Sequence, residues 1–440
     1  MKKINTLLSI LLIFINFKIG AQQNFQWAKQ FGGAAYGNSI VADASGNVYT
    51  TGYFQGTVDF DPGALVYNLN AMGGGADYDI FVSKLDTTGN FVWAKQLGGG
   101  IQDYGYSIAL DASNNVYTTG TFINAASDFD PGPGTYSLNS VGGNAIFVSK
   151  LNSLGNFVWA KSMCGASNDY ASSIAIDASG NVCTTGYFGT VADFDPGVAT
   201  YTLSSVGLSD IFISKLNSSG SFGWAKSFGD VGSDIGYSIV ANAIGEIYTT
   251  GNFNGTVDFD PGVGTFTLAS AGNSDIFESK LDASGNFVWA KSMGGSGADV
   301  GLSNAVDASG NIFITGHFNG TADFDPSPAI YNLISIGGTD DIFVMKLLNG
   351  NVGVLENFNE TNNSVIIYPN PNKGSFKLQT TNKILNAELI IINSIGQNVH
   401  EQKIISGANE IETNGLSTGL YHYILFSDKQ KVGYGKMVIE

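Results

Sequence analysis

Short runs rich in Val, Ile, Phe, Tyr and Thr recur through residues 25–350, and pieces rich in Gly, Asn and Asp separate them. This is the pattern of short strands and tight turns, and no stretch shows a sustained helical period. The runs fall into a repeat. All five tryptophans occupy one motif, at Trp27, Trp93, Trp159, Trp224 and Trp289, with intervals of 66, 66, 65 and 65 residues. Self-similarity at a fixed period points to a repeat architecture.

Aligned copies predict four strands in constant order. Strand A covers 39–44, 107–112, 173–178, 238–243 and 303–308; a DASGN-type turn leads to strand B, NVYTTG, starting at 47, 115, 181, 246 and 311. An insert with DFDPG and a YTL-type strand follows. Strand C (DIFVSKL) then covers 79–85, 145–151, 210–216, 275–281 and 341–347, and an SGN-type turn leads to strand D (FVWAK) at 91–95, 157–161, 222–226 and 287–291. Four antiparallel strands per unit, repeated radially, make a β-propeller blade. A fifth D strand, FQWAK at 25–29, precedes the first A strand, while the last C strand has none after it. An N-terminal strand completing the last blade predicts a closed five-bladed ring over residues 22–350, with no open sheet edge.

In this reading the WAK tryptophans pack between blades. The ten lysines of the array fill only the SKL and WAK positions, and are expected on a solvated outer face that discourages edge pairing. Residues 22–350 hold 29 acidic residues against those ten lysines. The A–B and C–D turns share one end of the ring, where Asp, Asn and Gly serve the turn itself. The long connections share the other end. Each insert there carries an acidic pair: Asp59 and Asp61, Asp128 and Asp130, Asp193 and Asp195, Asp258 and Asp260, Asp323 and Asp325. Asp103, Asp169, Asp234 and Asp299 add one more each from the D–A loops. Spaced carboxylates before a Pro-Gly turn are candidate Ca²⁺ ligands, with a purely structural turn as the alternative; the pattern lacks the distal Glu of an EF-hand loop.

Five near-identical loops suit binding better than catalysis, which needs one asymmetric constellation. Departures from the repeat are Glu246, Glu278, Asn304 and His317. Glu278 and His317 could in principle form an acid/base pair, but drift at an expendable repeat position is the simpler reading. No catalytic residue is assigned, and no nucleophile-elbow, zinc-protease or phosphate-loop motif occurs. A hydrolase or lyase acting on extracellular polysaccharide through a paired-carboxylate cleft is the alternative to a binding or adhesion protein.

Composition narrows the setting. The net charge is −17, all twenty basic residues are lysine, and 58 of 440 residues are glycine, so nucleic acid is not a partner. Residues 1–21 read as a secretory signal peptide, with two lysines and an apolar run from Leu7 to Phe17. No later segment is apolar enough to predict a membrane span. Cys164 and Cys183 read as two buried thiols or one disulfide.

After an Asn-rich linker at 351–364, residues 365–440 alternate as six or seven short strands of a small β-sandwich. The pieces YPNPNKGSF (Tyr368, Pro369, Asn370, Pro371 and Gly374 among them), SIGQNV (Gly396, Gln397), GLSTGLYHYILF (Gly419, Tyr421) and terminal KMVIE (Lys436) follow in order. This region resembles the type A C-terminal sorting domain of the type IX secretion system of Bacteroidota. The resemblance implies passage through the outer membrane by that machinery, removal of the domain, and release or attachment to surface lipopolysaccharide. Residues 25–350 similarly resemble β-propeller repeats of secreted bacterial proteins, a resemblance that carries over no single activity; a glycan or protein ligand is the partner expected of a binding protein.

Overall fold

The computed structural model describes residues 25–349, apart from 74–76 and 124–125, and residues 365–439, apart from 371, 381–385, 394–397, 406, 414 and 428–429. The signal peptide, the linker at 351–364 and the motif residues Pro371, Gly396 and Gln397 lie outside the described residues. The chain divides into two compact units at Leu348/Asn349. Every regular element among the described residues is a strand.

The first unit is the repeat array. Its second copy shows the pattern: strand A (Tyr104–Leu110), B (Val116–Phe122), C (Ala145–Leu151) and D (Phe157–Gly165) pair antiparallel in that order. The first copy uses Gly32–Ala42, Val48–Asp59, Tyr78–Leu85 and Phe91–Leu97. The third uses Asp169–Ile176, Val182–Phe188, Asp210–Leu216 and Phe222–Phe228, and the fourth Ile235–Ala241, Ile247–Phe253, Asp275–Leu281 and Phe287–Gly295. The fifth has three strands, Val300–Val306, Ile312–Phe318 and Asp341–Leu347. The A strands of successive repeats pack side by side.

Three local features explain why this sequence repeats as it does. The A–B turn is built by its aspartate: Asp111 Oδ1 accepts the N–H groups of Ser113 and Asn115, and the same arrangement recurs at Asp43, Asp177 and Asp307. Strand A starts earlier than its sequence suggests, because it continues through a β-bulge, as between Gly105 and Ser107. That bulge presses a carbonyl onto the B strand, where a Cβ on Gly120 would collide with Tyr104 O, and one on Gly52 with Tyr36 O. The TTG glycine is therefore a packing requirement. Third, the phenylalanine inside DFDPG is a core residue. Phe60, Phe129, Phe194, Phe259 and Phe324 are buried, 5.3–5.5 Å from a B-strand Phe and 4.8–5.2 Å from a C-strand Phe.

Successive repeats are clamped together at the tight-turn end. The indole N–H of Trp93 donates to Ser153 O of the next repeat, that of Trp159 to Ser218 O, and that of Trp224 to Ala283 O. The lysine paired opposite the tryptophan joins it: Lys150 Nζ donates to Ser218 O and Lys215 Nζ to Ala283 O. This corrects the expectation of a solvated lysine face for the SKL lysines of the inner repeats, whereas Lys29, Lys291 and Lys346 are exposed. Lys150 and Lys215 are buried; Lys215 pairs with Asp177 at 3.0 Å and Lys280 with Glu246 at 2.9 Å, while Lys84, Lys150 and Lys280 lie over tyrosine rings. Strand C is enclosed in the second and third repeats, so its lysine has little solvent to reach and meets a carboxylate instead, joined by a ring face in the second repeat.

The two ends of the array differ from this pattern. Residues 25–31, expected to begin with a fifth D strand, carry no strand pairing, and the fifth repeat has no fourth strand among the described residues. The segment nevertheless lies against the first repeat as a D strand lies against the repeat after it. Trp27 donates to Thr87 O, and Phe31 sits 5.2 Å from Phe60. Its outward groups are bare: Phe25 is 82% exposed.

The second unit is a two-layer β-sandwich. One sheet contains Val365–Tyr368, Ser375–Thr380 and Ala408–Glu412; the other contains Asn398–Ile404, Ala387–Ile392, Gly419–Ser427 and Gln430–Ile439. Phe376, Leu378, Leu389, Ile391, Ile411, Leu425 and Met437 form its core.

Candidate functional site

The acidic inserts were the sequence's first candidates, and their geometry is that of a turn. In the second repeat Asp128 Oδ1 accepts the N–H groups of Asp130 and Tyr136, and Asp130 Oδ1 accepts that of Gly132. The same contacts recur for Asp59 and Asp61, Asp193 and Asp195, and Asp258 and Asp260; Asp323 repeats them, and Asp325 accepts from Ser327 where the others meet glycine. The one-residue spacing between the two carboxylates reflects the core phenylalanine between them. Among the described residues no group of three or more His, Cys, Asp or Glu side chains is gathered to hold a metal ion.

The D–A loop aspartates are buried staples. Asp103 accepts from Gly99 N at 2.6 Å and Ile123 N at 3.3 Å, tying the end of one repeat to the B strand of the next, and Asp169, Asp234 and Asp299 do the same. Burial pushes Asp103 up to about 8 and Asp169 and Asp234 up to about 6, against the pull of those N–H bonds. A second buried set, Asp79, Asp210 and Asp275, opens strand C and accepts from the loop before it; burial also raises these, Asp79 and Asp275 to about 6. The two sets neighbour each other in equivalent positions and face the main chain. They do not form the open, asymmetric carboxylate pair that the hydrolase alternative requires.

The departures from the repeat fall into three separate places, Glu246 being the partner of Lys280 described above. Glu278 and Asn304 meet in the interface between the fourth and fifth repeats, with Asn304 Nδ2 donating to Glu278 Oε1 at 3.0 Å and Ser238 donating to Asn304 Oδ1. They replace an apolar pair that is Val82 with Ile108, Val148 with Ile174, and Ile213 with Ile239 in the three preceding interfaces. Burial raises Glu278 to about 8. His317 lies elsewhere, 4.0 Å from Asp340, so the structure gives Glu278 and His317 separate partners rather than an acid/base pair. Cys164 and Cys183 are both free thiols, and burial pushes Cys183 up to about 12.

The sequence reading missed the feature that most resembles a binding surface. Strand A begins, strand B ends and strand C begins at the long-loop end, and tyrosines occupy these positions in the early repeats. Tyr36 stacks on Tyr53 at 4.9 Å; Tyr53 meets Tyr78 at 5.2 Å and Tyr104 at 4.8 Å; Tyr104 lies parallel to Tyr106 at 6.0 Å. Tyr170 and Tyr187 repeat the first stack at 4.9 Å in the third repeat. Tyr36 is exposed and the others are half-buried. Burial raises the phenols of Tyr53, Tyr104, Tyr106 and Tyr187, the last to about 12, so all remain neutral hydroxyl donors. In the fifth repeat His317 and Asp340 stand at the places of Tyr53 and Tyr78. The signal was present as YGNS, YGYS, YASS and TGYF, at positions read only as strand ends.

At the opposite end a cleft of about 540 Å³ opens between the third and fourth repeats, with Asp177, Lys215, Trp224 and Ile244 among its walls. Its charged groups already satisfy each other.

In the second unit the sorting motif is one structural device. Asn370 donates to Lys436 O and accepts from Val438 N, both at 2.8 Å, while Asn372 N donates to Val438 O. Tyr421 is buried and donates to Ser417 O, and Gly374 takes a left-handed turn at φ +87°. The YPNPN and KMVIE pieces co-occur because each satisfies the other's backbone.

Comparison with known proteins gives this architecture its class. Residues 366–440 match the secretion system C-terminal sorting domain family, and residues 26–53 and 92–121 match the β-propeller repeat family. The protein is thus an array of β-propeller repeats carrying the sorting tail of the type IX secretion system, and that tail directs it to secretion or cell-surface attachment. No helix among the described residues is long and apolar enough to cross a membrane.

Among individual proteins, an uncharacterized WD repeat-containing protein of Acanthamoeba polyphaga mimivirus is 25% identical over 243 residues, which is 48% of this chain and 17% of that protein. Among solved structures, PorZ, an essential bacterial surface component of the type IX secretion system of Porphyromonas gingivalis, is 11% identical with a TM-score of 0.28, covering 92% of this chain and 45% of that one. The extracellular domain of a hybrid two-component system from B. thetaiotaomicron is 12% identical with a TM-score of 0.23, covering 94% and 58%. The chain therefore spans less than two thirds of each of these relatives.

Proposed function

We propose that this chain is a secreted or surface-attached binding protein of a Bacteroidota species, and that it engages its ligand at the tyrosine belt on the long-loop end. The observation that carries the reading is the run of partly exposed tyrosines packed on one another, one pair stacked and two edge-on, on a strand scaffold at the end where loops offer further contacts. Washed cells displaying the wild-type chain should retain extracellular polysaccharide or peptide probes. A Tyr36→Ala, Tyr53→Ala, Tyr104→Ala variant should not, and equal retention by both would sink the reading.

The same proposal includes closure of the array into a five-bladed ring, with residues 25–29 as the fourth strand of the last blade. Four exposed side chains at the ends support it, because each is half of a contact buried elsewhere. Ile40 and Val344 are 69% and 78% exposed, yet their counterparts Ile108 and Val82 form the buried pair between the first two repeats. Tyr331 is 65% exposed, while Tyr67, Tyr136 and Tyr201 each stack on a D-strand Phe at 4.7–4.9 Å. The Phe at the matching place for Tyr331 is Phe25. Extending the register of Ser83 opposite Ala94 places Ala28 opposite Met345. In a background lacking Cys164 and Cys183, Ala28→Cys with Met345→Cys should form an intramolecular disulfide under mild oxidation. An exclusively intermolecular bond, or none, would show an open array.

A further inference from the structure

We infer that the ligand of the tyrosine belt is a neutral, hydroxyl-rich glycan chain, an inference that rests on the binding reading above. The five-ring cluster of Tyr36, Tyr53, Tyr78, Tyr104 and Tyr106 joins two repeats, with centroid separations of 4.8–6.0 Å. Tyr36 stacks on Tyr53, which meets Tyr78 and Tyr104 edge-on, so the cluster offers a mixture of ring faces and edges as apolar contact at low conformational cost, and each phenol adds a group that can both donate and accept. A pyranose presents the complementary surface, with axial C–H groups on its faces and hydroxyls around its edge.

Charge narrows the choice further. All ten lysines of the array sit in the SKL and WAK positions, away from the belt, so nothing there attracts an anionic polymer. The buried acids nearest the belt are turned onto the protein's own donors: Asp79 accepts from Met72 N through one oxygen, and Asp103 accepts from Gly99 N and Ile123 N. The belt itself offers aromatic rings and hydroxyls, which suit a sugar chain, while Asp77 beside Tyr78 and the insert carboxylates at the same end make a cationic peptide the contrasting ligand that the titration must exclude. His317 and Asp340, in the fifth repeat's version of the Tyr53 and Tyr78 positions, supply a donor and an acceptor of the kind that reads sugar hydroxyls.

Calorimetric titration of the full-length mature protein tests this, using neutral hexasaccharides of glucose, xylose and mannose, with hexalysine as the contrasting probe. The expected result is saturable binding to at least one hexasaccharide, unchanged between 50 mM and 500 mM salt and weakened about tenfold by Tyr53→Ala. Tyr36→Ala, at the exposed end of the stack, should weaken it as well without shifting the melting temperature. Tyr53→Phe, which keeps the ring, should retain most of the affinity. Salt-sensitive binding of hexalysine with no hexasaccharide binding would overturn the glycan assignment and leave the binding reading standing. Absence of binding to every probe, with no effect of the belt substitutions on cell-surface retention, would overturn both.

Discussion

At the scale of single residues, Glu278 shows how a departure from a repeat becomes a measurable property. Its carboxyl is fully buried and raised from the ordinary 4.5 to about 8, with burial as the main cause and the Asn304 hydrogen bond opposing it. The folded protein holds this proton more tightly than the unfolded chain does. The stability it contributes is therefore complete below about pH 4.5 and is lost as pH rises through about 8. Replacing the pair with the neighbouring repeats' residues, Glu278→Val with Asn304→Ile, should raise the melting temperature at pH 8 more than at pH 5. Glu278→Val alone should gain less, because Asn304 would then lose a buried acceptor. Gly120 offers a simpler test. A Cβ there meets Tyr104 O, so Gly120→Ala should cost at least about 2 kcal/mol in denaturant unfolding, whatever its effect on strand propensity.

At the scale of elements, the DFDPG insert and the tryptophan clamp carry distinct burdens. Asp128→Ala removes the acceptor for two backbone N–H groups and should destabilise by about 1–3 kcal/mol, whereas Asp128→Asn keeps an acceptor oxygen and should be much milder. If the insert is a turn, millimolar calcium should leave the melting temperature of both variants and of the wild type unchanged. Trp159→Ala should cost about 3–5 kcal/mol, since it empties a buried inter-repeat contact and abandons the hydrogen bond to Ser218. The elements were largely legible beforehand. Strand order, turn chemistry and repeat period are local properties, written in side-chain alternation and in Gly, Asn and Asp. The A-strand bulge and the burial of the SKL lysines were not legible, because both follow from what the next strand or repeat presses against them.

At the scale of the whole molecule, buried and exposed acids pull stability in opposite directions with pH. Asp79, Asp169, Asp234 and Asp275 near 6 and Asp103 near 8 are all raised from 3.8 by burial, so their contribution fades as pH rises through those values. Turn acids such as Asp43, Asp86, Asp111 and Asp307 are lowered by hydrogen bonds, Asp86 to about 2, and their contribution fades as pH falls below 3.8. The melting temperature should therefore peak at about pH 4, near the unfolded carboxyl value, and decline toward pH 8, a profile that differential scanning calorimetry resolves. A peak above pH 7 would contradict the burial of these carboxyls.

The sequence by itself determined the repeat, the all-β class, the turn chemistry and the sorting tail, because each depends on residues close together in the chain or on fixed-period recurrence. The tyrosine belt came only from the tertiary structure: Tyr36, Tyr53, Tyr78 and Tyr104 belong to four strands of two repeats, and strand pairing and bulges alone bring their rings together. The same holds for Glu278 and Asn304, which sequence reading marked as separate oddities and which packing between repeats makes a pair. The acidic inserts read from spacing alone as calcium ligands or as turns, and the structure adds what spacing could not give: each pair flanks a buried phenylalanine and accepts backbone N–H groups of its own loop.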